Sequence, residues 1–184
     1  PPEPPSHAYW WVVAALGAAA GGWLAWRTVR ITGKTGNRVV FGGIGAFILA
    51  VSVLIGLSQT AKGPIDWTYY TPERLEAAQK EGKVVVVDFT AEWCANCKTL
   101  EALVLNTPAV SSELNADDVA AIKVDLTGNN EAGNALLKAS DRVTIPLLLV
   151  YGRDGSLVMN ATEYTPAQVL AAISEARAKA GPGG

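Results

Sequence analysis

The chain has 184 residues, 49% of them hydrophobic and 17% charged, with a formal net charge of −2. That length holds one globular domain with residues to spare. The average hides an uneven distribution: Arg27, Arg30, Lys34 and Arg38 cluster in a stretch free of acid, whereas from Lys62 onward eleven basic residues stand against sixteen acidic ones. An acidic part without a basic stripe lacks the electrostatic footprint of a nucleic-acid binder, so nucleic acid is not an expected partner.

In chain order, residues 1–7 ("PPEPPSH") are a polar N-terminal segment and 8–57 read as a transmembrane helical hairpin. Its spans, 8–26 and 39–57, are nineteen residues each without a charge. At ~1.5 Å per residue each covers about 28 Å, near the hydrocarbon thickness of a bilayer. Tyr9, Trp10 and Trp11 at one end of the first span, with Trp23 and Trp26 at the other, match an interfacial aromatic belt. Gly17 and Gly21, with Gly42, Gly43, Gly45 and Ala46 opposite, are small enough for two helices to approach closely in lipid. Two buried core helices are the alternative, and a cleaved signal peptide is another for the first span. A signal peptide carries its positive charge before the apolar run, whereas here the basic residues come after it. Positive charge stays cytoplasmic, so the loop between the spans predicts both termini on the extracytoplasmic side. The part of the chain beyond the hairpin then faces an oxidising compartment, where a reactive thiol pair has meaning. The chain does not begin with methionine, and is read as processed or as part of something longer.

Residues 58–66 form a polar linker with a Gly-Pro break, and the domain expected after it covers 67–180. Thr71-Pro72 starts a helix, with Thr as N-cap and Pro at the first helical position, running to about Glu81 and stopping at Gly82. Val84 to Thr90 is nearly continuous in β-branched residues, as in a strand buried on both faces. A helix is predicted from near Cys94 through Leu105, disturbed before Pro108. Val119–Leu126 is a strand and Asn130–Ser140 a helix. Ile145–Tyr151 and Leu157–Asn160 flank "GRDG", a turn suited to an antiparallel hairpin. Thr165-Pro166 starts a last helix, ending before "GPGG". The order predicts an α/β fold, a mixed sheet with helices on both faces, and there are no internal repeats.

The only two cysteines stand in "VVVVDFTAEWCANCKTLE", residues 84–101. A zinc site normally needs three or four protein ligands, and two cysteines with His7 across a membrane span do not complete it, although Asp or Glu could assist. A copper-type two-thiolate site needs fewer and stays open as an alternative. A structural disulfide closing so small a loop removes little unfolded-state entropy. A redox couple fits best. Cys94 falls where a buried strand gives way to a helix, where unpaired N–H groups and the helix dipole favour a thiolate. Cys97, one turn on, is expected to be more buried. Cys94 then attacks a substrate disulfide and Cys97 resolves the mixed disulfide.

"VDFTAEWCANCK" resembles the active-site segment of the thioredoxin superfamily, with Thr144-Ile145-Pro146 where that family has its cis-proline and "IKVD" (122–125) on the strand that supplies a lysine near the buried aspartate. The resemblance covers about residues 67–178. The "IDW" entry, "VDFTAEWC" and the two preceding spans are similar to the C-terminal region of DsbD-type thiol:disulfide interchange proteins: a last transmembrane hairpin followed by a periplasmic thioredoxin-like domain. The resemblance implies that Trp93 shields and orients the Cys94 sulfur. It implies that Pro146 is cis, leaving the Ile145 backbone free to pair with a substrate strand. It further implies that Asp88 relays the proton leaving Cys97 while Lys123 tunes it. A core aromatic at Trp93, a trans breaker at Pro146 and a structural Asp88–Lys123 ion pair are the plainer alternatives. Ala95-Asn96 departs from the Gly-Pro of thioredoxin, and the missing histidine between the cysteines favours a reductant. The implied protein is a disulfide reductase of a bacterial inner membrane, acting on periplasmic partners such as a disulfide isomerase, a cytochrome c maturation factor or a second domain of the same system. A thiol oxidase and a metal-handling protein are its rivals. No motif suggests a flavin, haem or nicotinamide cofactor, and neither span has a cysteine. A membrane-embedded thiol donor on another segment or chain is therefore expected.

Overall fold

The structure, a computed structural model, describes residues 9–31, 33, 35–60 and 63–179. The N-terminal polar segment 1–7, Lys34 of the basic loop and residues 61–62 of the linker lie outside the described residues. Two compact units divide the chain, one made of the first two helices and one of the residues from Gly63 on.

Helix α1 is Tyr9–Ile31 and α2 is Thr35–Thr60, both long and apolar enough to cross a membrane. Each outruns its uncharged span, because a charged side chain does not end a helix. The Arg27 and Arg30 guanidinium groups fold back over the Trp23 and Trp26 rings, at 5.1 and 5.2 Å from their centroids. Ala14, Gly21 and Thr28 form the buried line of α1. It faces Gly45, Ser52 and Gly56 of α2, so closely that a Cβ on Gly21 would lie 2.7 Å from the Gly45 carbonyl oxygen. Gly17 abuts Ser52 in the same way. The expected use of Gly42, Gly43 and Ala46 is corrected: a Cβ on Gly42 or Gly43 meets nothing within 4 Å, and Ala46 is exposed. The contact runs through positions three to four and seven apart, as helical geometry demands, and those three residues fall beside it.

The second unit is a five-stranded mixed sheet in the order β1-β3-β2-β4-β5: Thr68–Tyr69, Val119–Asp125, Val84–Thr90, Leu147–Tyr151 and Leu157–Ala161. β1 and β2 run parallel to β3, whereas β4 runs antiparallel to β2 and β5. Every residue of β2 is buried, which explains its unbroken valines. Val84 and Val86 pack with Val110 and Leu114 on one face, and Val85, Val87 and Phe89 with Ala78 and Leu137 on the other.

Helix α3, Pro72–Lys80, starts at Thr71, whose hydroxyl accepts from the Arg74 N–H, and gives way to Gly82 at φ 66°. Helix α4, Ala95–Leu100, runs into a π-helical turn, Glu101–Leu105, where the Asn106 N–H reaches back to the Glu101 carbonyl at 2.8 Å. A further helix, α5, Pro108–Leu114, comes next and was not expected. Pro108 has no N–H to donate, so the ladder stops before it and a new helix starts with Pro in its first position. Helix α6, Glu131–Ala139, is capped by Asn130, and α7, Pro166–Ala178, by a Thr165/Gln168 capping box. The two-residue β1 was also not expected, being too short for any periodicity to show.

At the start of the second unit, the segment before β1 is held to the sheet domain by Asn115, whose side chain accepts from the Asp66 N–H (2.9 Å) and donates to the Pro64 carbonyl (2.7 Å). Ile65 beside it is buried in the core.

The helix contact yields a prediction. A Cβ on Gly56 would sit 3.1 Å from that of Ala14. In a chain lacking the native cysteines, Ala14→Cys with Gly56→Cys should therefore cross-link readily on oxidation. Adding Gly21→Leu should cut the yield severalfold, because overpacking of about 1–3 kcal/mol drives the backbones apart. Loss of 2 Da by mass spectrometry reads the bond.

Candidate active site

Strand β2 delivers the chain to Ala91, which is fully buried, and the Cys94 N–H returns to its carbonyl at 3.1 Å. That turn makes Cys94 the N-cap of α4. Cys94 and Cys97 form a disulfide with Cα atoms 5.3 Å apart, and the Cys94 sulfur also accepts from the Cys97 N–H at 3.2 Å. The sulfur thus takes the place of the hydroxyl or carboxylate usual at this position, and a thiolate there would receive the same N–H and the helix dipole. Cys97 is 4% exposed and Cys94 7%, packed with Ala91 against Leu126 and Ile145.

Neighbouring loops fix this turn. The Glu92 N–H donates to the Thr127 hydroxyl at 2.9 Å, and Thr127 is held by the Asp125 carboxylate through its N–H. Lys98 closes an ion pair with Glu92 at 2.9 Å. Trp93 is 67% exposed, which removes the core-aromatic alternative and leaves an indole standing in solvent beside Cys94 in the chain.

The Ile145–Pro146 peptide is cis, the isomer the resemblance implies. Because Phe89 pairs with Leu147, the end of β2 and the start of β4 are neighbours, which brings the cysteine turn and the proline together. Asn160 on β5 steadies the approach to that proline. It donates to the Ser140 carbonyl and accepts from Arg142 Nε, both at 2.9 Å. Between the start of α4 (Asn96, Thr99, Leu100) and Ile145–Pro146 lies a groove of about 410 Å³.

On β2, the strand that leads into the cysteine turn, Asp88 is 3% exposed and pairs in register with Lys123 across β2 and β3. Burial pushes its carboxyl up to about 7, opposed by the nearby Lys123 and Lys98 charges and reinforced by Glu101. Lys123 does not spend its hydrogen bond on Asp88. Its ammonium bonds Glu101 at 2.6 Å and lies over the Trp67 ring, 4.8 Å from the centroid. The structural Asp88–Lys123 ion pair is thus replaced by a Lys123–Glu101 pair beside a lone carboxyl. Tyr164 is also buried here; burial first, then Asp88 and Glu101, raise its hydroxyl further from ionisation. Glu101 was not expected from the sequence, although its place four residues after Cys97 puts both on one helix face.

The class follows from this arrangement and from residues 66–152, which match the family model described as thioredoxin-like. This part of the chain is a thioredoxin-like domain with a Cys94–Cys97 disulfide in its CxxC turn. Among curated relatives, the thiol:disulfide interchange protein DsbD of Pseudomonas fluorescens is 30% identical over 151 residues, covering 81% of this chain and 23% of that protein. DsbD 1 of Pseudomonas aeruginosa is 28% identical over 184 residues, covering 86% of this chain and 30% of its own length. The oxidised C-terminal domain of Neisseria meningitidis DsbD is 26% identical, covers 60% of this chain and 99% of that domain, and superposes with a TM-score of 0.49. The chain carries a thioredoxin-like region of the DsbD type, and spans about a quarter of the length of these curated relatives.

Asp88 gives a pH-dependent prediction. Its folded-state value, about 7, lies above the unfolded value near 3.8, so the folded protein holds that proton more tightly. This contribution is complete below about pH 4 and is lost as pH rises through 7. Asp88→Asn removes the ionisation, and so should stabilise the protein at pH 8 by up to about 4 kcal/mol relative to its effect at pH 4. Calorimetric melts of both proteins at the two pH values check the sign.

Proposed function

We propose that the chain is a membrane-anchored thiol:disulfide reductase that passes two electrons from the Cys94–Cys97 dithiol to disulfides of extracytoplasmic partner proteins. The observation that carries this reading is the Cys94 sulfur at the helix N-cap, accepting the Cys97 N–H beside an open groove.

The Cys94 thiolate attacks one sulfur of a substrate disulfide. That S–S bond breaks, a mixed disulfide forms, and the leaving sulfur takes up a proton. Cys97 then loses its proton to the Asp88 carboxylate and attacks the Cys94 sulfur. The second substrate sulfur departs as a thiol, and the Cys94–Cys97 disulfide seen here is the product. Asp88, pushed up to about 7, is poised to accept and return that proton near neutral pH. Glu101 engages Lys123, whose remaining influence on Asp88 is through its charge. Ile145 and Pro146 line the groove in which the substrate segment lies, with Trp93 at its approach.

Anchoring is supported by how the first two helices pack. Their contact uses glycine and alanine, whereas Leu16, Trp23 and Phe47 point outward and are 68%, 54% and 69% exposed. Outward apolar side chains with small residues between helices suit lipid rather than water. Arg27, Arg30 and Arg38 at the connection between the helices favour a cytoplasmic loop, leaving the domain on the periplasmic side of an inner membrane. Re-reduction needs another dithiol. The only cysteines in this sequence are Cys94 and Cys97, so a thiol relay through the bilayer uses a segment other than this hairpin.

The 184-residue chain supplied with dithiol should reduce insulin disulfides, and Cys94→Ser should abolish this. Cys97→Ser should instead trap a mixed disulfide on Cys94, visible on non-reducing gels, whereas Cys94→Ser traps none; equal trapping by both variants would reverse the assigned roles. Turnover by the unaltered chain should rise through about pH 7, and Asp88→Asn should flatten that limb. For topology, a reporter fused at Lys34 should read cytoplasmic and one at Gly184 periplasmic.

A further inference from the structure

The groove beside the disulfide contains one charged residue. Its wall otherwise offers the hydroxyls of Thr99, Thr144 and Thr162, the Asn96 amide and apolar carbon, whereas Glu163 adds a carboxylate. Glu163 is exposed on the connection between β5 and α7, and no ion pair or hydrogen bond engages its side chain among the described residues. Basic groups on nearby elements are committed elsewhere: Arg142 to Asn160, and Lys98 to Glu92. Glu163 thus lines the groove without an ion-pair partner among the described residues.

A second observation points the same way. From Lys62 onward the chain carries sixteen acidic and eleven basic residues, so the domain as a whole attracts cationic partners over distance. We infer that the groove selects polypeptide disulfides flanked by a lysine or arginine, whose charge pairs with Glu163 while the adjoining sulfur meets Cys94. Asn96 lies between the two cysteines and lines the same groove as Glu163. A segment laid along the groove with its sulfur at Cys94 thus brings the neighbouring side chains within reach of the carboxylate. The long stems of lysine and arginine suit this position, because they keep the charge free to find its partner. This inference rests on the reductase reading and adds the substrate class.

The test compares two synthetic peptides with the same cystine, one flanked by lysines and one by glutamates, each reduced by the 184-residue chain with excess dithiol. A basic neighbour makes any disulfide more reactive, so each rate is divided by that for dithiol alone. The corrected ratio of kcat/KM, lysine peptide over glutamate peptide, is the readout. Glu163→Gln should lower it about fivefold at low salt, the upper end for an exposed ion pair. Glu163→Lys should lower it further, and ~0.5 M salt should erase the difference between the proteins. A general loss of activity scales both peptides equally and leaves the ratio intact. A ratio that is the same in all three proteins overturns the inference while the reductase reading stands. Failure of the unaltered chain to reduce either peptide overturns both.

Discussion

A carboxyl group buried in the middle of an apolar sheet must keep its proton or find a cation, and the site is organised around that constraint. Asp88 sits in the one strand of which every residue is buried. The cation that should serve it, Lys123, is aligned with it in register but bonded to Glu101. Two carboxyls and one ammonium thus share a closed space. The Lys123–Glu101 pair is neutral and satisfied, leaving Asp88 the odd member. Ionising it would place a negative charge in a poorly hydrated sheet, offset only in part by the Lys123 and Lys98 charges, which is why its carboxyl is pushed up to about 7. A group that half-titrates at neutral pH can take a proton from a thiol and return it, which an ordinary surface aspartate does poorly.

The π-helical turn makes this possible. An α-helix continuing from Leu100 would not have widened at Glu101, and the extra residue per turn changes which side chains face the sheet. Here the turn starts with Glu101, whose carboxylate reaches Lys123, and closes with Val104 and Leu105 in the core. Pro108 ends the segment and lets α5 pack its Val110 and Leu114 on the same sheet face. One distorted turn therefore supplies a charge to the site and closes the core below it.

What could be read from the sequence divides along the same line. The buried strand, the Thr-Pro helix starts, the cysteine turn and the loop ending in Pro146 are local: each is written in adjacent residues whose chemistry allows few conformations. The mixed sheet followed from their order. Glu101 was not legible, because its partner lies twenty-two residues on and the contact depends on a local change of helical winding. Helix α5 was missed because Pro108 reads as a stop and only the tertiary packing of Val110 and Leu114 makes it a start. The glycines of α2 failed differently. Composition marks them all as permissive, but only the rotation of one helix against the other selects Gly45 and Gly56 over Gly42 and Gly43.

Access to the nucleophile bears on how a substrate is chosen. At 7% exposure, Cys94 offers an approaching disulfide a narrow window rather than an open face. Exchange needs the attacking sulfur, the attacked sulfur and the leaving sulfur nearly in line, so a substrate must lie along the groove instead of touching it end-on. An extended segment in that position presents its flanking residues to the groove wall before any bond changes. The cystine itself is chemically the same in every substrate and cannot distinguish one protein from another. On the proposed reductase reading, discrimination falls to the residues beside it, and in a wall of hydroxyls, an amide and apolar carbon Glu163 is the charged residue that would tell a basic neighbour from an acidic one.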